Sequence, residues 1–83
     1  MYTLALRQSA RKELDRLDES MRRRIGLAFE SLKIDPFQGK TLRGDLYGLR
    51  SIRVWPYRIV YEIRKYELIV LVVEIAHRKD AYR

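Results

Sequence analysis

Guanidinium, imidazole and phenol groups, all able to act on a phosphodiester, gather in the second half of this 83-residue chain. Arg53 and Arg58 lie on either side of Trp55-Pro56, and His77, Arg78 and Tyr82 follow in the C-terminal run. The set suits attack of an RNA 2′-hydroxyl on its adjacent phosphate. That reaction needs a base for the hydroxyl proton, an acid for the departing 5′-oxygen, and cations for the charge that builds on phosphorus. It calls for no metal and no cofactor. Imidazole titrates in the range of a base or an acid, arginine forks match phosphate oxygens, and a tyrosine can stack on a base or donate a proton. Lys40, Arg43, Arg50, Trp55 and Lys79 are the further candidates for gripping an RNA strand.

Other chemistries fare worse. The chain has no cysteine and one histidine, which excludes a thiolate zinc site and Cys–His catalysis. Neither common spacing of a glycine-rich phosphate loop occurs. Asp15, Asp18, Glu19 and Glu30 are interleaved with basic residues, as on a solvated helix face, and do not form a hydrolytic carboxylate pair. Plain structural duties compete with the sharper ones. Arg53 and Arg58 also suit edge-protecting charges on a strand, Tyr57 and Tyr61 suit core aromatics, and Arg22-Arg23-Arg24 suits a solvated face. Glu74, set in an apolar run, calls for an arginine from a neighbouring strand to offset burial.

Charge points to a polyanion. Eighteen Lys and Arg against eleven Asp and Glu leave a formal +7. Residues 1–39 hold eight basic and six acidic side chains, a balance of +2, and residues 40–83 hold ten and five, a balance of +5. The excess therefore lies where the candidate cluster lies, and nucleic acid is the simplest partner. The longest apolar run, Leu68–Val73, is far shorter than a membrane span. The N-terminus lacks the apolar core of a signal peptide, so the expectation is a cytoplasmic protein without a membrane partner. A chain of this length fits one domain, residues 1–83.

The elements that must position these groups follow from periodicity. Tyr2–Leu6 reads as a short strand. Ser9 suits the cap of a helix whose Ala10, Leu14 and Leu17 share a stripe, and Asp18 suits the cap of a second helix built on Met21, Ile25, Ala28, Phe29 and Leu32. Pro36 closes that helix, and Asp35 to Gly48 reads as loop. Three strands follow: one through Ile52 and Val54, one through Tyr57, Ile59, Tyr61 and Ile63, and one from Leu68 to Ile75 covered on both sides. The fold class is α+β: an N-terminal strand, an antiparallel helical hairpin, then a three-stranded antiparallel meander, in the order β-α-α-β-β-β.

The runs Lys40-Thr41-Leu42-Arg43-Gly44, Leu49–Val54 and Tyr57–Ile63, with the terminal His77–Arg83, resemble the RelE/ParE toxin superfamily in order and spacing. That resemblance spans nearly the whole chain and implies the same β-α-α-β-β-β fold. It implies a toxin of a type II toxin–antitoxin system that cleaves mRNA on the ribosome. Arg53, Arg58, Arg78 and Tyr82 then correspond to the family's functional positions, and His77 is similar to an acid–base histidine of some relatives. A cognate antitoxin, acidic and partly disordered, is the implied partner alongside ribosome and mRNA. One departure stands out. Where well-known RelE enzymes carry two lysines on the second strand, this chain has Ser51 and Arg53, and an arginine does not readily release its proton. The ParE-like branch shares the fold but is associated with poisoning DNA gyrase, and a non-catalytic basic RNA-binding module is a third expectation. The imidazole, arginine and tyrosine set favours the RelE branch.

Overall fold

The computed structural model describes residues 1–81. Strand β1 (Thr3–Leu6) leads into helices α1 (Gln8–Arg16) and α2 (Glu19–Ile34); β2 (Lys40–Thr41), β3 (Arg50–Val54), β4 (Tyr57–Arg64) and β5 (Ile69–His77) follow, and helix α3 (Arg78–Ala81) comes last. The strands form one five-stranded sheet in the order β1-β5-β4-β3-β2. β2 to β5 form an antiparallel meander, and β1 adds to β5 in parallel. The α+β class is the one read from the sequence. Two details differ. Lys40–Thr41, read as loop, is a strand of two residues, too short for a period-2 pattern to register. The terminal run after His77, read as polar tail, opens with a helical turn.

Local chemistry explains the helix ends. The Asp18 carboxylate accepts from the Met21 backbone N–H at 2.8 Å, the N-cap geometry that satisfies an orphan amide. α1 begins two residues earlier than its serine suggests: Arg7 is the N-cap residue and makes no side-chain cap bond, and Ser9 lies inside the first turn. Ala10 and Leu17 at the ends of the first helical segment, with Met21, Ile25, Phe29 and Leu32 of α2, pack on Ile59, Tyr61, Val70, Val72 and Ile75 of the sheet. Each such large apolar side chain contributes roughly 1.5–3 kcal/mol on leaving water.

Register decides which side chains share a face. Ile52 pairs with Ile59 and Ile59 with Ile75; Val54 pairs with Tyr57 and Tyr57 with His77. These positions belong to the face that the helices cover. The alternate positions, Lys40 opposite Ser51, Ser51 opposite Val60, and Arg53 opposite Arg58, belong to the other face. A bulge interrupts this alternation: Val60 pairs with Glu74 but Tyr61 pairs with Val72, leaving Val73 as the extra residue on β5. Beyond the bulge every β5 side chain has the opposite parity from the one counted up from Val70. Glu74 falls on the open face and is exposed, so the burial expected for it, and the need for an arginine to offset it, do not arise.

Candidate nucleic-acid interface

The two-residue connection Trp55-Pro56 joins β3 to β4 and sets Arg53 directly across from Arg58. Directly opposed residues of an antiparallel pair point to one side, with Cβ atoms roughly 4.5–5.5 Å apart. Two like charges at that distance repel, an arrangement that costs free energy unless an anion or other partners lie between them. Arg53 is exposed and Arg58 half-buried. Together with Gln38, Gly39, Lys40, Thr41, Leu42, Ser51 and Ile52 they line a groove of about 460 Å³. Lys40 reaches this face because β2 pairs it with Ser51, two residues before Arg53.

A buried clamp holds β2 where it is. Tyr61 is fully buried, and its hydroxyl donates to the Pro36 carbonyl at 2.6 Å while accepting from the Gly39 N–H at 3.1 Å. Burial raises the phenol above its ordinary value of 10.0, the main cause, against lowering by the Gly39 amide and by Arg50. Gly39 is the residue this packing requires: a Cβ there would lie 2.4 Å from the Tyr61 hydroxyl and 2.8 Å from the Ser51 carbonyl. The Arg50 guanidinium completes the clamp by donating to the carbonyls of Gly39 at 2.9 Å and Phe37 at 3.3 Å and lying 5.2 Å over the Phe37 ring. Arg50, a candidate RNA contact by sequence, is therefore engaged in holding the turn that delivers Lys40.

The remaining candidates are distributed around this groove. Arg43 is exposed and lines a neighbouring hollow of about 400 Å³ with Tyr47 and Leu49. Leu46 and Leu49 of the same loop line a cavity of about 600 Å³ with Val60, which is fully buried although it points to the open face. Trp55 is 53% exposed, and the Arg78 guanidinium lies 5.2 Å over its ring. The Arg78 backbone N–H donates to the Pro56 carbonyl at 2.8 Å, tying the start of α3 to the same turn. Lys79 is exposed on α3.

His77 is not brought to the arginine pair. By register it shares the helix-covered face with Tyr57, whose ring it meets edge-on at 5.2 Å. Its Nδ1 accepts from the Lys79 N–H at 3.2 Å, and it lines the 600 Å³ cavity together with Glu13, Val60, Glu74, Ala76 and Asp80. By register the imidazole and the arginine pair, expected from sequence at one surface, fall on different sheet faces, and the β5 bulge is the physical cause. Tyr82 lies outside the described residues. Sequence reasoning missed Gln38, Gly39, Thr41 and Ser51 as groove residues. The one signal for them was Gly39 itself, a residue suited to a close approach of chain segments.

Residues 4–82 match the family model described as ParE toxin of the type II toxin–antitoxin system parDE. The chain belongs to the RelE/ParE toxin superfamily. It is 37% identical to Toxin RelE of Mycobacterium tuberculosis (strain ATCC 25618 / H37Rv) over 99% of this chain and 87% of that protein. It is 33% identical to Toxin RelG of the same strain, over 99% and 97% of the two chains. Among solved structures it is similar to the toxin in the RelBE2 toxin–antitoxin complex from Mycobacterium tuberculosis, with a TM-score of 0.85 and 32% identity over 93% of this chain and 98% of that one. It also resembles the YoeB/ParE toxin from Agrobacterium tumefaciens, with a TM-score of 0.80 and 25% identity over 93% and 98%. As a member of this superfamily the chain is a toxin of a type II toxin–antitoxin system. Among its described residues no helix is long and apolar enough to cross a membrane.

Proposed function

We propose that this toxin is a ribosome-dependent mRNA endoribonuclease that acts in the cytoplasm by 2′-hydroxyl attack without a metal. One observation carries the reading: Lys40, Arg53 and Arg58 share one sheet face and line one groove. Arg53 and Arg58 hold the non-bridging oxygens of the scissile phosphate, where negative charge grows in the transition state. Lys40 supplies the one amine among the described side chains that line the groove. In this reading Lys40 takes the 2′-hydroxyl proton, the 2′-oxygen bonds to phosphorus as the bond from phosphorus to the 5′-oxygen breaks, and the departing 5′-oxygen takes a proton from water. The products are a 2′,3′-cyclic phosphate and a 5′-hydroxyl end. His77 would have to leave Tyr57 and Lys79 to take part. Arg43, Lys79 and Tyr82 complete the set as contacts along the strand.

The cognate partner is an antitoxin, as in the RelBE2 complex of the similar toxin. An acidic, partly disordered segment that lies over the cationic face would cover the groove and neutralise it. A second reading, poisoning of DNA gyrase, draws on the ParE description of the matching family model and on Ser51 and Arg53 standing where RelE enzymes carry lysines.

Single-turnover cleavage on programmed ribosomes tests the assignment through two variants. Lys40→Met is expected to slow cleavage by about 10²–10⁴-fold, the range for a general base, while His77→Gln leaves the rate within a few-fold. The reverse pattern moves proton transfer to His77. Intact messages with the parent protein, together with DNA breaks in a gyrase assay, replace the ribonuclease by the gyrase reading.

A further inference from the structure

Trp55 is the only tryptophan in the chain, and it occupies the exposed turn beside the cationic groove. Large aromatic side chains usually find cover, yet this one is 53% exposed. One side of its indole lies under the Arg78 guanidinium at 5.2 Å, within cation–π range. With Arg78 against one face, the residue still keeps half of its surface exposed. The ring is also held at its base. Pro56 follows it, and the Pro56 carbonyl accepts from the Arg78 N–H at 2.8 Å, so turn and helix start are tied at one point. Trp55 is two residues beyond Arg53, so their Cα atoms are at most ~7 Å apart. Arg53 in turn stands opposite Arg58.

We infer that Trp55, backed by Arg78, is a nucleobase-stacking platform that seats one base of a single-stranded RNA whose phosphate lies between Arg53 and Arg58. A base presents a π-face whatever its identity, so the platform fixes position along the strand with little preference for sequence. The guanidinium on the far side keeps the indole plane in place, which makes Arg78 a positioning residue for the ring. This rests on the reading of the groove as an RNA phosphate site and adds the neighbouring base subsite to it.

The single tryptophan makes the test direct. A cleavage-resistant 2′-O-methyl RNA heptamer is titrated into the parent protein while tryptophan fluorescence is followed. Saturable quenching is expected, because the base would lie on the indole. By a separate binding readout, Trp55→Leu is expected to weaken the heptamer about ten-fold, and Trp55→Phe to retain binding within about three-fold, since a phenyl ring still stacks. A heptamer with one abasic position, moved along the strand, should reproduce the ten-fold loss at a single position, and Trp55→Leu should lose nothing more with that oligonucleotide. A merely structural role for Trp55 would make the two losses multiply. Arg78→Ala is expected to halve or further reduce the quenching amplitude, with Arg78→Lys closer to the parent. Unchanged binding by Trp55→Leu, absence of quenching on saturation, or multiplicative losses would each overturn the platform. The assay does not depend on cleavage: heptamer binding with the expected pattern, in a protein that leaves messages intact on ribosomes, would retain the platform and reject the ribonuclease.

Discussion

The two faces of the sheet are built from neighbouring residues of the same strands and do opposite work. On the helix-covered face Ile59, Tyr61, Val72 and Ile75 are buried against α1 and α2. On the open face, Arg53, Arg58 and Lys40 line a groove. Arg58 and Ile59 are consecutive, yet one belongs to the charged surface and the other to the core. Removing a core side chain costs the fold, and removing a groove cation should cost only what the groove does. The clamp at Tyr61 joins the two, because a core residue there fixes the strand that carries Lys40.

This contrast can be broken by substitution. The largest expected effect is on the covered face: Ile59→Ala should destabilise by about 2–5 kcal/mol through a cavity among packed side chains. In a domain of this size about 1 kcal/mol corresponds to roughly 4–8 °C of Tm, so thermal unfolding reads it easily. One residue away, Arg58→Ala should leave Tm within a few degrees and slow ribosome-dependent cleavage by about 10²–10³-fold, as for loss of a group that stabilises developing charge. A comparable loss of Tm in Arg58→Ala would show that the two faces are not separable.

Tyr61→Phe sharpens the link between the faces and should have the smallest effect. It removes the donor to Pro36 and leaves the Gly39 N–H without its acceptor, at a cost of about 1–3 kcal/mol. Its pH signature follows from the raised phenol value. The hydroxyl's contribution is fully present below the ordinary value of 10.0 and is lost as pH rises through the higher folded value. Stability of the parent should therefore fall more steeply than that of Tyr61→Phe on the alkaline side, measured by denaturant unfolding at a series of pH values. Equal slopes would detach the phenol from the alkaline behaviour.

Much of this was legible in the residues. Alternation in Ile52–Val54 and Tyr57–Ile63 reports which sheet face each side chain takes, with Val60 buried on the open face as well, and Asp18 caps its helix through a contact three residues away. Both are local effects, so the elements and the helix-facing set follow from the chain directly. The concentration of positive charge in residues 40–83 likewise pointed to the half of the molecule that builds the groove. Long-range pairing was not legible. That Lys40 joins Arg53 depends on β2 pairing with β3, and β2 is held by a tyrosine hydroxyl twenty-two residues away in sequence from Gly39.

The sequence by itself determined the class of elements, the toxin superfamily through its motif series, and the cationic character of the C-terminal half. Tertiary structure alone decided which of the candidate groups meet. The deciding device is small: one extra residue, Val73, in the ladder between β4 and β5. Counting by twos from Val70 and Val72 would assign Ala76 to the core face and His77 to the open one. The bulge reverses that parity and sets the imidazole on the face of Tyr57, whose ring it meets. A bulge is a property of two strands in register, created when their hydrogen-bonded ladders are matched end to end, and no single strand carries it in its own pattern.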